Sequence, residues 1–123
     1  MSARCLIVDD SKIVRKTLRL MLEHLGFDVS EAEGGKAALE HLTREAAALV
    51  IVDSMMPGLT GVETMQAIRA ARNIAQPKLI CCIGSHEAAA PDAALTAVAD
   101  AYLVKPVDAA ELAGKIKALN ITA

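Results

Sequence analysis

Short apolar runs alternate with amphipathic segments five times along the 123 residues of this chain. Short apolar runs that end at turn residues are typical of buried strands, and apolar residues at helical spacing are typical of helices. Alternation of the two predicts an α/β fold, in which a doubly wound parallel sheet carries helices on both faces. The predicted strands cover residues 3–10, 28–33, 48–53, 78–83 and 101–105.

Each predicted strand precedes a predicted helix. The first helix is the clearest, because its apolar residues recur at helical spacing between Ser11, which can start a helix, and Gly26, which can end one. The fourth lies in the alanine-rich stretch "EAAAPDAALTAVADA" and has the least defined boundaries. The five predicted helices cover residues 11–27, 34–46, 61–72, 91–100 and 108–120.

Composition excludes several classes of protein. Hydrophobic residues make up 54% of the chain, enough for the core of one domain, and the formal net charge of −2 does not favour a nucleic-acid partner. Cys5, Cys81 and Cys82 have no zinc-like spacing and indicate reduced core thiols. No apolar run reaches the roughly 18 residues that a membrane span needs. We expect a cytoplasmic protein without a membrane partner.

Charged residues stand where three of the predicted strands end. Asp9 and Asp10 follow the first strand, Asp53 ends the third, and Lys105 ends the fifth. The carboxyl ends of parallel strands lie along one edge of the sheet, where open α/β folds bind ligands. We therefore expect three carboxylates and one amine to converge there.

This arrangement predicts phosphoryl chemistry. Clustered carboxylates repel one another, and a hard cation such as Mg²⁺ relieves the repulsion. A carboxylate can also attack phosphorus and form an aspartyl phosphate, while a lysine charge pairs with a phosphoryl oxygen. Asp53 is the best candidate nucleophile, because the sharp turn "PGLTG" that follows in "LVIVDSMMPGLTG" exposes the site.

Three motifs carry a family resemblance: "IVDD" at 7–10, "VDSMMPGLTG" at 52–61 and "YLVKP" at 102–106. Together they resemble the receiver domain of two-component response regulators, and most closely the single-domain receivers of the chemotaxis type. The resemblance covers nearly the whole chain, so we expect one receiver domain over residues 1–123. It implies a flavodoxin-like (βα)5 fold with strand order 2-1-3-4-5.

The resemblance also implies the roles of individual residues. Asp53 would accept phosphate from a histidine kinase or a histidine phosphotransfer protein. Mg²⁺ would be bound by Asp10, Asp53 and the backbone carbonyl of Met55, with Asp9 helping through water. Lys105 would pair with the phosphoryl group, and the peptide bond between Lys105 and Pro106 would be cis.

The chain departs from the family pattern at the end of the fourth strand. The family carries a threonine or serine there, whose hydroxyl moves to the phosphoryl group. Ungapped spacing from Lys105 places Ile83 at this position, whereas Ser85 is two residues further on and could deliver a hydroxyl after a small shift. Tyr102 matches the aromatic residue of the family that swings inward on activation, although an amphipathic surface role would fit it too.

We expect the output of such a domain to be a shift between two conformations, read by a downstream effector protein on the surface formed by residues 91–105 and the last helix. A degenerate receiver that binds partners without phosphate, and a receiver fragment of a larger regulator, are the alternatives. A flavin module is disfavoured by the acidic loop "DDSK", and an aspartyl phosphatase by Met55 at the position where a second acid is usual. The basic residues Lys12, Arg15, Lys16 and Arg19 predict a solvated face on the first helix, which could alternatively help to dock a kinase.

Overall fold

The computed structural model describes residues 2–123 and contains a five-stranded parallel sheet. The strand order is β2-β1-β3-β4-β5, so the predicted flavodoxin-like topology is confirmed. All five strands lie within the predicted segments. They are β1 (Arg4–Val8), β2 (Asp28–Ala32), β3 (Leu49–Asp53), β4 (Lys78–Ile83) and β5 (Ala101–Val104).

Residues 2–123 contain six helices, one more than the sequence predicts. The additional one is a single short turn between β4 and the predicted fourth helix, which itself is shorter than expected. The helices are α1 (Lys12–His24), α2 (Gly35–Arg44), α3 (Gly61–Ala70), α4 (Ser85–Ala89), α5 (Ala93–Val98) and α6 (Ala109–Ala118). None of them is long and apolar enough to cross a membrane.

The alanine-rich segment explains the difference. Alanine favours helix at every position but gives no apolar periodicity, so the pattern does not show where one helix ends and the next begins. The boundary lies at Pro91, and Asp92 caps α5 because its carboxylate accepts a hydrogen bond from the backbone N–H of Ala94.

The core has two layers, one on each face of the sheet. Successive strand residues point to opposite faces. Leu6 and Val8 of β1 therefore pack with α2, α3 and α5, whereas Cys5 and Ile7 pack with α1 and α6. All three cysteines are buried and free, as predicted for core thiols.

The strand register brings the polar strand ends together. Val8, the last residue of β1, is paired with Ala32 of β2 and Val52 of β3. The next residue of each of the two central strands is an aspartate, Asp9 after β1 and Asp53 in β3. The two residues thus lie side by side at the carboxyl edge of the sheet.

Candidate functional site at the carboxyl edge of the sheet

Asp9, Asp10 and Asp53 form one cluster at the carboxyl edge of the sheet. One carboxylate oxygen of each residue lies within 4.8 Å of the other two. Asp9 and Asp53 are buried, whereas Asp10 is exposed. The predicted convergence of the three carboxylates is therefore observed.

Lys105 reaches into the same cluster. Its ammonium Nζ donates a hydrogen bond of 2.5 Å to Oδ1 of Asp53. Burial opposes the charge of Lys105, but this hydrogen bond and the attraction of Asp53 and Asp9 outweigh it, so the pKa of Lys105 is raised. The peptide bond between Lys105 and Pro106 is cis, as the family resemblance implies.

The pKa of Asp9 is also raised. Burial is the main cause, and the neighbouring charges of Asp53 and Asp10 add to it. The hydrogen bond of 2.8 Å that the backbone N–H of Ser11 donates to Oδ1 of Asp9 acts in the opposite direction, as does the charge of Lys105. The negative charge of the cluster is therefore only partly compensated by the protein.

The donor set of the cluster fits a hard divalent cation. Three carboxylates carry three negative charges, of which Lys105 offsets one, and oxygen ligands with room for water are what Mg²⁺ requires. Met55 follows in the loop after Asp53, and its side chain is 68% exposed. The predicted ligand role of its backbone carbonyl stays a prediction.

The turn after Asp53 is fixed by two glycines and a capping box. Gly58 has a φ of 77°, which residues with side chains rarely adopt. At Gly61 a Cβ atom would lie 2.4 Å from the carbonyl oxygen of Asp53. Thr60 starts α3, because its hydroxyl accepts from the N–H of Glu63 while the Glu63 carboxylate accepts from the N–H of Thr60. The first residue of α3 thus packs directly against the backbone of Asp53.

Ile83 and Ser85, the two candidates for the hydroxyl position at the end of β4, lie in different environments. Ile83 is the last residue of β4, is paired with Val104 and is 0% exposed. Ser85 lies beyond it, in the first turn of α4, with an exposed side chain. The end of β4 is therefore a buried aliphatic residue, and whether Ser85 supplies the hydroxyl that the family resemblance implies stays a prediction.

A different hydroxyl lies close to the phosphorylation candidate. Ser54, which directly follows Asp53, is buried, and its Oγ donates a hydrogen bond of 2.7 Å to Oε1 of Glu87 in α4. The same oxygen accepts from the backbone N–H of Gly84 at 3.1 Å. Sequence reasoning missed this contact. The glutamate three residues after Gly84 signals the cap at the start of α4, because a glutamate at this spacing often caps a helix start, but it does not identify Ser54 as a partner.

Arg15 was predicted to lie on a solvated face of α1, and this is wrong. It is only 7% exposed, and its guanidinium donates to the backbone carbonyl of Asp9 at 2.7 Å and to the Glu31 carboxylate at 2.9 Å. Arg19 donates to the other oxygen of Glu31 at 2.7 Å. Arg15 therefore ties the loop that carries Asp9 and Asp10 to strand β2.

Tyr102 lies on β5 and is partly buried against the core layer of α2, α3 and α5. The ammonium of Lys115 in α6 lies 5.8 Å from the centre of its ring, within cation–π range. Tyr102 therefore packs against one core layer with its ring near Lys115 of α6, and its predicted switch role stays a prediction.

Comparison with known proteins identifies the family. A family model described as the response regulator receiver domain matches residues 5–117. The transcriptional regulatory protein PrrA of Mycobacterium leprae is 39% identical over 120 residues, which are 96% of this chain and 50% of PrrA. The chain spans about half the length of the curated relatives it matches.

Solved structures agree with this match. The response regulator TrrA of Thermotoga maritima, in complex with Mg(2+)-BeF, is 34% identical with a TM-score of 0.84, covering 97% of this chain and 99% of that one. The chemotaxis response regulator CheY4 of Vibrio cholerae is 26% identical with a TM-score of 0.87, at the same coverage. The chain belongs to the receiver domain family of two-component response regulators.

Proposed function

We propose that residues 1–123 act as a phosphoryl-accepting receiver domain in which Asp53 takes a phosphoryl group from a histidine kinase or a histidine phosphotransfer protein. The observation that carries this proposal is the cluster of Asp9, Asp10 and Asp53 with Lys105 hydrogen-bonded to Asp53. The complex of TrrA with Mg(2+)-BeF supports it, because the two chains are 34% identical.

In the proposed transfer, a carboxylate oxygen of Asp53 attacks the phosphorus of a phosphohistidine. The new O–P bond forms as the N–P bond breaks, and the electron pair of the N–P bond stays on the imidazole of the donor. Lys105 is already within hydrogen-bonding distance of Asp53, so its charge can follow the phosphoryl oxygens without a large movement. The chain thereby helps to catalyse its own modification but acts on no external substrate.

Mg²⁺ would be held by Asp10, Asp53 and the carbonyl of Met55, with Asp9 contributing through water. When bound, it supplies positive charge that offsets the negative phosphoryl oxygens during transfer. Burial and the neighbouring carboxylates raise the pKa of Asp9, and a bound cation would offset the negative charge that causes part of this shift.

The test is phosphoryl uptake from acetyl phosphate, followed by intact-protein mass spectrometry with and without Mg²⁺. Wild type should gain one phosphoryl group in a Mg²⁺-dependent manner, and Asp53→Asn should gain none. Asp28→Asn is the matched control, because this exposed aspartate begins β2 at the opposite end of the sheet. Equal uptake by wild type and Asp53→Asn would refute the assignment.

We propose that phosphorylation shifts the population of two conformations, and that a downstream effector protein binds the surface formed by α5, β5 and α6. A phosphoryl group at Asp53 would attract the ammonium of Lys105. Lys105 directly follows β5, the strand that contains Tyr102, so this attraction would act on β5. Amide shifts with and without beryllofluoride would test this. Changes that stop at the acidic cluster would contradict it.

A second function is favoured by Ile83. A receiver without a hydroxyl at the end of β4 could act as a protein-interaction module whose binding does not depend on phosphate. The uptake experiment separates the two functions. Absence of Mg²⁺-dependent uptake in wild type would favour the interaction module.

A further inference from the structure

Ile83 stands where ungapped spacing from Lys105 places the hydroxyl that the family resemblance implies, so its own side chain cannot couple Asp53 to the segment after β4. The Ile83 side chain packs inside the core layer of α2, α3 and α5 and cannot donate a hydrogen bond. If phosphorylation changes the shape of residues 84–90, which we call the α4 segment, another group must connect this segment to Asp53.

Ser54 and Glu87 provide that connection. The hydroxyl of Ser54, one residue from Asp53, donates to Oε1 of Glu87, and the same oxygen accepts from the N–H of Gly84. A single carboxylate oxygen therefore joins the end of β3 to the first turn of α4. Hydrogen bonds to an ionised acceptor are stronger than neutral ones, so this contact is a substantial restraint.

The α4 segment has few other restraints. Helix α4 has five residues, none of which is buried, and Gly84 has no side chain to cap it. A helix this short is marginal without tertiary contacts. Ala88 is the residue of α4 that packs partly against the core. Loss of the hydrogen bonds from Ser54 and Gly84 to Glu87 would therefore remove most of the tertiary contacts that stabilise the first turn of α4.

Charge at Asp53 acts directly on this contact. The phosphorylated form carries about one negative charge more than the free carboxylate at neutral pH. Glu87 lies near Asp53, since its Oε1 accepts a hydrogen bond of 2.7 Å from the hydroxyl of Ser54, the residue that directly follows Asp53. Added charge at Asp53 thus repels the carboxylate that holds the α4 segment.

We propose that Glu87 is the positioning residue through which phosphorylation of Asp53 reaches the α4 segment: the added charge displaces its carboxylate from Ser54 and Gly84, and the segment is freed. Glu87 acts as the charge-sensitive partner, and Ser54 as its anchor on the phosphorylated strand. This coupling rests on the proposed phosphorylation of Asp53.

The test is amide hydrogen exchange of the α4 segment with Mg²⁺ present throughout, compared with and without beryllofluoride as the phosphoryl mimic. In wild type, the Gly84 amide should be protected, and the mimic should speed its exchange about tenfold or more, as expected for loss of a charge-assisted hydrogen bond. In Glu87→Gln the side-chain oxygen can still accept both hydrogen bonds but carries no charge. The mimic should then change the rate by less than about threefold.

Two further variants sharpen the test. Ser54→Ala removes the anchor, so Gly84 should exchange faster even without the mimic. Glu111→Gln is the matched control, because it makes the same charge change in the first turn of α6 and should leave the wild-type response intact.

The outcomes separate this inference from the proposed function. If the amides next to Asp53 and Lys105 do not shift when beryllofluoride is added, the phosphorylation proposal fails. Two results would overturn only the role of Glu87 while those amides still shift. In one, beryllofluoride speeds amide exchange of the α4 segment as much in Glu87→Gln as in wild type. In the other, it does not change the exchange rate of this segment in wild type.

Discussion

The ammonium of Lys105, which follows β5, lies 2.5 Å from a carboxylate oxygen of Asp53 in β3, although β4 separates the two strands. Lys105 therefore reaches across β4 to the acidic cluster and compensates one of its three charges. Because a bound cation and Lys105 would share the same carboxylates, we expect metal affinity and phosphoryl transfer to depend on Lys105 in opposite ways.

Replacing Lys105 by methionine tests this opposition. The buried Asp53 carboxylate loses its partner in Lys105→Met, so the free energy of unfolding without metal should fall by about 1–3 kcal/mol. Mg²⁺ should bind more tightly, since a competing positive charge is gone. Phosphoryl uptake from acetyl phosphate should slow by about a hundredfold, as is typical when a group that stabilises transition-state charge is lost. A calorimetric Mg²⁺ titration with unchanged or weaker affinity would contradict this account.

Neutralising Asp10 should have the reverse effect on the metal-free protein. Asp10→Asn relieves repulsion with Asp9 and Asp53, so the free energy of unfolding without metal should rise by up to about 1 kcal/mol. The increase in melting temperature that Mg²⁺ gives to wild type should be lost. Glu40→Gln, which removes an exposed charge on α2, should change neither quantity. A variant at Asp10 that still responds to Mg²⁺ like wild type would refute the ligand role.

The parts of the site that the sequence predicts are those fixed by strand polarity. Asp9, Asp53 and Lys105 each follow or end an apolar run, and parallel strands bring such residues to one edge whatever the details of packing. Their convergence could therefore be predicted from local patterns alone. The strand order came from the family resemblance, and the structure confirms it.

The parts that the sequence does not predict depend on contacts between distant residues. Arg15 reads as a solvated residue of a basic stripe, but its guanidinium donates to the Asp9 carbonyl and to Glu31, sixteen positions away in β2. The contact of Ser54 with Glu87 joins residues 33 positions apart. Side-chain pairs of this kind have no periodic signature, so pattern analysis cannot find them.

Two glycine substitutions separate helix propensity from packing at the phosphorylation candidate. In Gly61→Ala, the new methyl group would lie 2.4 Å from the Asp53 carbonyl oxygen and 2.7 Å from the Ser54 Cα. We expect the free energy of unfolding to fall by about 2 kcal/mol or more, because α3 must move away from Asp53. Mg²⁺ should also raise the melting temperature by less than it does in wild type. Gly114→Ala is the matched control in α6, where the methyl group meets open space.

Gly114→Ala should raise the free energy of unfolding by about 0.5–1 kcal/mol, the usual gain for alanine over glycine inside a helix. Denaturant unfolding measures both variants. If Gly61→Ala were stabilised to the same extent as Gly114→Ala, the close approach of α3 to Asp53 would not be a constraint on the site.

Arg15 should affect metal binding without touching the metal. Arg15→Met removes a donor from the Asp9 carbonyl and leaves Glu31 with Arg19 alone, so we expect the free energy of unfolding to fall by about 1–3 kcal/mol and Mg²⁺ affinity to fall as well. Arg15→Lys keeps the charge but cannot make both contacts in the same geometry, and it should recover only part of the affinity. Full recovery by lysine would show that charge, rather than position, is what Arg15 contributes.

Glu31, the partner that Arg15 shares with Arg19, should make stability depend on pH. The hydrogen bond from Arg19, and then that from Arg15, lower the pKa of Glu31 below its ordinary value of 4.5. A carboxyl group whose pKa is lowered by folding stabilises the protein fully above its unfolded pKa, and this contribution is lost as the pH falls through the folded pKa. Wild type should therefore be more stable than Glu31→Gln at pH 7, and the difference should shrink below about pH 4.5. Denaturant unfolding of both proteins between pH 3 and 7 measures the difference, and a gap that stays constant over this range would mean that the ion pairs of Glu31 contribute nothing to stability.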